Sequence, residues 1–252
     1  MNKKLIFGIA ILVSIFFFQN IFAEEIVRIT NGEWLPYHSK KLPHYGAGSR
    51  IVTEAFALEG IKVEWGFYPW KRGYLNVVRD KWDASIGWIK TPEREKEVLF
   101  SEPVYGGKWV FFHLKNQNFS WQTIDDLKKF RIGATENFTY GALFDNAEKQ
   151  KKIWVKRART IKQNFAILLK GRIHVFVHAE DSGYATLRKH FKANEIEKVT
   201  NHPKPIQVVQ YHLVFTKKEK NKRLVEVFNR GLRRLYTSGK VEKYLKEAWA
   251  AN

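Results

Sequence analysis

Residues 26–88 read IVRITNGEWLPYHSKKLPHYGAGSRIVTEAFALEGIKVEWGFYPWKRGYLNVVRDKWDASIGW, and the order of patterns within them decides the fold. Ile26 to Thr30 is a short β-branched run closed by Asn31-Gly32, the signature of a strand ending in a turn. Ser49 to Leu58 places Ile51, Val52, Ala55 and Phe56 on one helical face, with Gly60 as the stop. Lys62 to Tyr68 predicts a second strand, Trp70 to Arg79 a helix opened after Pro69, and Ala84 to Trp88 a third strand. This βαβαβ order belongs to an open α/β sheet, because parallel neighbours need a crossover helix between them.

The pattern then restarts. Lys108 to Leu114 reads as a strand, and Thr123-Ile-Asp-Asp126 as a capping box opening a short helix. Arg131 to Ala134, Ile153 to Val155 and Ile173 to Val177 are further strands, with a helix capped at Thr160 before the last of them. Asp181 to His190 is helical, and Val208 to Phe215 is a strand that returns the chain towards its beginning. Two closing helices carry the stripes Leu224, Val225, Phe228, Leu232, Leu235 and Val241, Tyr244, Leu245, Ala248, Trp249. No low-complexity linker divides the two α/β units, which suggests two lobes with more than one crossing between them.

The N-terminus predicts export. Lys3 and Lys4 precede the uncharged run Leu5 to Phe18, and Ile21-Phe22-Ala23 ends in a small residue, as a secretory signal does. Cleavage is expected after Ala23, giving a periplasmic protein. The apolar run is shorter than the roughly 20 residues that span a bilayer. The 252 residues include no cysteine, which excludes disulfides, thiolate metal sites, a cysteine nucleophile and a lipidated cysteine. Net charge is +19, and +17 without Lys3 and Lys4. The basic residues are scattered over Lys71-Arg72, Lys128-Lys129, Lys151-Lys152, Lys156-Arg157 and Lys217 to Arg223, with no single basic helix and no zinc-finger spacing. They read as a solvated surface of an exported protein and not as a nucleic-acid interface. No phosphate-binding glycine loop, Gly-x-Ser-x-Gly or His-Glu-x-x-His is present. His174 and His178 are four apart, but no third ligand accompanies them at a recognised spacing, so neither metal nor cofactor is expected.

Several stretches resemble, in order and spacing, the periplasmic solute-binding family 3, the amino-acid-binding proteins of ABC importers. They are Gly32 to Tyr37, Ser49 to Gly60, Pro69-Trp-Lys-Arg72, Trp82-Asp83-Ala84, Thr91-Pro-Glu-Arg94, Phe100-Ser-Glu-Pro103, Arg131-Ile-Gly133, Gly171-Arg-Ile173 and the closing helical pair. The resemblance implies a two-lobed α/β fold of the periplasmic-binding-protein type II with two hinge crossings. One lobe would comprise residues 24–112 and 209–252, the other residues 113–208. It further implies a monomer that holds a small carboxylate ligand in the interlobe cleft, for an inner-membrane ABC permease.

By the same resemblance Arg94 is the expected carboxylate clamp, since a guanidinium offers a planar fork for two parallel hydrogen bonds. Pairing of that arginine with Glu93 or Glu97 is the competing reading. Trp34, Tyr37 and Trp70 would line the first lobe's wall, although ordinary core packing also suits Tyr37 and Trp70. Asn137 and Thr139 would present polar groups from the second lobe's first loop. The family's aspartate for a ligand ammonium is expected near Ala179, which carries no acid, so Glu180 or Asp181 is expected to substitute for it. The family's serine-rich strand end is replaced by Gly87-Trp-Ile-Lys90, a bulkier wall. Two other functions fit the same scaffold: a dehydratase-like enzyme using Glu33, Glu136 or Glu180, and a free-standing ligand sensor.

Overall fold

The computed structural model describes residues 24–250, so the expected signal and its cleavage after Ala23 lie outside the described residues. Strand β1 (Glu25–Asn31) pairs in parallel with β2 (Ile61–Phe67) and β3 (Ala84–Ile89). Helices α1 (Ala47–Ala57) and α2 (Trp70–Val78) supply the crossovers. The predicted face of α1 is the buried one, with Ile51, Val52, Ala55 and Phe56 all inaccessible. Gly60 adopts φ +74°, the left-handed position that ends a helix at little steric cost.

After a single short helix, α3 (Pro92–Glu97), the chain enters β4 (Val98–Leu114). This strand begins ten residues earlier than Lys108, where the sequence places it. Pro103 and the pair Gly106-Gly107 look like breakers, but the register against β9 slips on both sides of Pro103. A bulge absorbs the missing N–H there, and the strand continues.

The second unit repeats the first. Strands β5 (Arg131–Thr135), β6 (Trp154–Ala158) and β7 (Val175–Ala179) are parallel. Their crossovers are α4 (Ala142–Lys149) and α5 (Ile161–Leu169); α4, a largely polar helix, was not anticipated. The box at Thr123 is present, but it opens a 3-10 turn over Ile124–Lys129. Helices α6 (Glu180–His190) and α7 (Ala193–Ile196) and the short β8 (Val199–Asn201) lead to β9 (Gln207–Thr216). Among the described residues the strands form one sheet in the order β2-β1-β3-β9-β4-β7-β5-β6, with β8 beside β4. The long antiparallel pair β4 and β9 is therefore the seam between the two parallel units.

Helices α8 (Glu219–Thr237) and α9 (Lys240–Ala250) return to pack on α1. Gly231 of α8 lies so close to α1 that a Cβ would stand 2.0 Å from the Ala55 carbonyl oxygen. Gly231→Ala should therefore destabilise the protein by about 1–3 kcal/mol, as overpacking does, although alanine is the better helix former. A lower urea midpoint with an unchanged m-value would show it.

Candidate functional site

In open α/β sheets the crevice beyond the carboxyl ends of parallel strands is where ligands bind. Here β1 ends at Asn31 and leads into Gly32 to Ser39, β2 ends at Phe67 before Tyr68 to Trp70, and β3 ends at Ile89 before Lys90 to Arg94. In the second unit β5 ends at Thr135 before Glu136 to Tyr140, and β7 ends at Ala179 before Glu180 and Asp181. The two sets of loops meet, because the Tyr37 hydroxyl donates a 2.6 Å hydrogen bond to the Asp181 carboxylate.

The first unit's wall is aromatic. The loop after β1 contains a cis Leu35–Pro36 bond and doubles back on itself, with Trp34 and His38 exchanging backbone hydrogen bonds. Trp34 is 5% exposed, its ring edge-on to Tyr211 at 4.7 Å, and its indole nitrogen has no partner. Tyr37 stacks on Tyr105 at 4.5 Å with 12° between the rings. Burial, and then the charge of Asp181, push the Tyr37 hydroxyl far above its ordinary value, so it remains a donor. Trp70 is half-buried, and its indole packs against two glycines. A Cβ on Gly32 would stand 2.4 Å from it and one on Gly87 3.2 Å. Glycine at both places is what leaves room for the ring. Gly32, Glu33, Phe67, Tyr68, Pro69 and Trp70 line a hollow of about 330 Å³.

Arg94 is reached by the same aromatic chain. Trp70 meets Trp88 edge-on at 6.1 Å, and the Arg94 guanidinium sits over Trp88 at 5.1 Å. The α3 start is fixed by Thr91, whose hydroxyl accepts from the Arg94 backbone N–H at 3.3 Å. One terminal nitrogen of Arg94 donates to the Ile89 carbonyl at 2.7 Å. Among the described residues it forms no ion pair, with Glu93, Glu97 or any other carboxylate; Glu97 instead accepts from Tyr74 at 2.9 Å. Partial burial lowers the Arg94 pKa, yet a guanidinium so placed stays charged.

The second unit's loop is braced from beneath. Arg157 grips Glu148 through two hydrogen bonds and donates to the carbonyls of Thr135 and Phe138 at 2.9 Å each. The Tyr140 hydroxyl accepts from the Thr135 N–H at 2.6 Å. On this frame Asn137, in the left-handed region at φ +63°, and Thr139 are both exposed. Glu180 does not reach the first unit, since its carboxylate accepts from Asn201 at 3.3 Å. Of the two neighbouring acids it is Asp181 that crosses the cleft.

Two residues that sequence reading did not assign to the site lie at its floor. His38 is fully buried between the Tyr105 hydroxyl at 2.5 Å and Ser49 at 3.2 Å. His178 is equally buried, with Ser182 at 3.2 Å and its other ring nitrogen unpartnered. Burial lowers both to about pKa 3. His174 points elsewhere, accepting from the Arg131 N–H at 2.9 Å, so the two histidines do not converge. No cluster of three His, Asp or Glu side chains fit to hold a metal occurs among the described residues. Glu33 and Glu136 are exposed and Glu180 is half-buried.

The chain is 26% identical over 210 residues to a probable histidine-binding protein of Campylobacter jejuni, covering 80% of this chain and 75% of that one. Among solved structures it is similar to an ancestral arginine-binding protein bound to arginine, with TM-score 0.72, 21% identity and coverage of 88% and 97%. It is equally similar to a histidine kinase sensor domain resembling periplasmic binding proteins, with TM-score 0.72, 16% identity and coverage of 88% and 95%. These likenesses establish the two-lobed type II fold expected from the sequence. Residues 26–251 match the bacterial extracellular solute-binding proteins, family 3, and the chain belongs to that family.

Proposed function

We propose that this is an exported, periplasmic solute-binding protein that captures a small amino-acid-like carboxylate between its lobes for an ABC-type importer. The observation that carries the reading is Arg94: a guanidinium at the mouth of an aromatic wall, held by a backbone carbonyl and a tryptophan face, and in no ion pair among the described residues, with Glu93 and Glu97 near enough only to be felt through their charge. A ligand carboxylate would complete it in the bidentate geometry that arginine favours. Trp34, Tyr37 and Trp70 supply apolar area, and Asn137 and Thr139 supply polar groups from across the cleft. Residues 24–112 and 209–252 form one lobe and residues 113–208 the other, hinged at β4 and β9, with closure of the kind periplasmic binding proteins use. The protein works as a monomer and leaves its ligand chemically unchanged.

A thermal-shift panel of amino acids, small acids and amines tests this reading. A cognate carboxylate at about 100 times its dissociation constant should stabilise the folded protein by roughly 2.7 kcal/mol. Stabilisation by amines that lack a carboxylate, with none by any carboxylate, would refute it.

A further inference from the structure

Away from the β4–β9 seam, the lobes are joined by one polar side-chain contact among the described residues, the hydrogen bond from Tyr37 to Asp181. The other side-chain hydrogen bonds and ion pairs of the loops at the cleft stay within their own lobe, as with Glu180 and Asn201 or Arg157 and Glu148. Both partners are held in place before they meet. Tyr37 is 1% exposed, stacked on Tyr105, and tied through its backbone to Trp34 and Gly48. The indole of Trp249, on the last helix, lies beside the same hydroxyl. Asp181 stands in the first turn of α6, where the helix macrodipole favours a carboxylate. A 2.6 Å bond from a phenol to a carboxylate is charge-assisted, and it is only partly open to water.

We propose that Tyr37 and Asp181 form an interlobe latch, a protein–protein bond that favours lobe contact and sets how long the cleft stays shut. Ala179 ends β7 without an acid, and Asp181, two residues on, makes its bond to the opposite lobe. Because the bond exists only when the lobes meet, its whole free energy counts towards the closed state and none towards the open one. The latch rests on the proposed function only for its consequence, slower release of a captured ligand; the contact itself needs no ligand. Hydrogen bonds to charged groups are strong enough to move the closed-to-open ratio roughly tenfold to hundredfold.

The cysteine-free sequence makes the test direct. Lys71→Cys on α2 and Lys162→Cys on α5, both exposed, would carry spin labels on opposite sides of the cleft. Pulsed dipolar distances on the ligand-free protein should then show a short, closed population in the parent beside any open one. Tyr37→Phe keeps the stacked ring and deletes only the oxygen, and it should shift the population to longer distances. Asp181→Asn should shift it less, since an amide still accepts a neutral bond. In the Tyr37→Phe background, Asp181→Asn should add nothing, which separates a direct bond from general loosening. Thermal midpoints within a few degrees of the parent would show that both variants fold. A parent without a short population, single variants indistinguishable from it, or effects that add in the double variant would each overturn the latch. None of these outcomes depends on finding the ligand, so failure of the latch and failure of the carboxylate reading are separately visible.

Discussion

Arg94→Ala should abolish carboxylate binding while leaving the fold intact. Removing one side of a buried, charge-assisted pair costs about 2–5 kcal/mol, because the ligand's charge is left without a partner. That is an affinity loss of roughly thirtyfold to several thousandfold. Stability should change little, since among the described residues Arg94 makes no ion pair and gives up a hydrogen bond to Ile89 and its stacking on Trp88. Arg94→Lys should recover part of the affinity, as an ammonium retains the charge but not the planar fork. Calorimetry with the strongest ligand from the thermal-shift panel reads both variants. Parent-like affinity in Arg94→Ala would remove the clamp, whereas loss of folding would reveal a structural arginine.

Much of this architecture was legible in the residues, and the exceptions have physical causes. The three parallel strands of the first unit and the buried face of α1 followed from alternation, helical periodicity and glycine stops. Those signals are local. The early start of β4 escaped because Pro103 and Gly106-Gly107 carry the same local signal as a turn. Only the partner strand β9, a hundred residues away, allows a bulge to replace one. Helix α4 escaped because its buried face is two residues, Phe144 and Ala147, too few for a periodic pattern.

The site divides in the same way. Trp34 and Tyr37 lie in the loop after β1, and Trp70 and Arg94 in the first turn of the helix that follows β2 or β3, so their nearness to the carboxyl ends of the strands is readable from position along the chain. The partner of Tyr37 was not legible, because Glu180 and Asp181 differ by 100° around a helix. Which of them faces the other lobe is set by how the chain leaves β7 and enters α6 at Glu180, and no local pattern fixes that path. The density of aromatics around the cleft was visible. That Trp70 rests on Gly32 and Gly87 was not, since it joins three separate segments.

Acid should destabilise the protein before its carboxylates titrate, with His38 and His178 responsible. Both are fully buried among rings, and burial holds each neutral with a pKa of about 3. In the unfolded chain each returns to about 6.5. Below that value the unfolded chain binds protons that the folded one refuses, so stability falls as pH falls. Their contribution is complete above about pH 6.5 and drains away towards pH 3. With both acting, the slope approaches about 3 kcal/mol per pH unit, and the loss is roughly 4 kcal/mol between pH 7.5 and pH 5. His113, half-buried, and His212, buried, are lowered for the same reason and pull in the same direction. Urea titrations at half-unit intervals from pH 7.5 to pH 5 would measure the slope. His38→Gln retains a side chain able to bond Ser49 and Tyr105, and His178→Gln one able to bond Ser182. Each should flatten the pH dependence by about 1.4 kcal/mol per unit, whatever it does to stability at pH 7.5. A parent curve that is level from pH 7.5 to pH 5 would mean that both rings can take up a proton in place. The cleft floor would then have to open to water for them to do so.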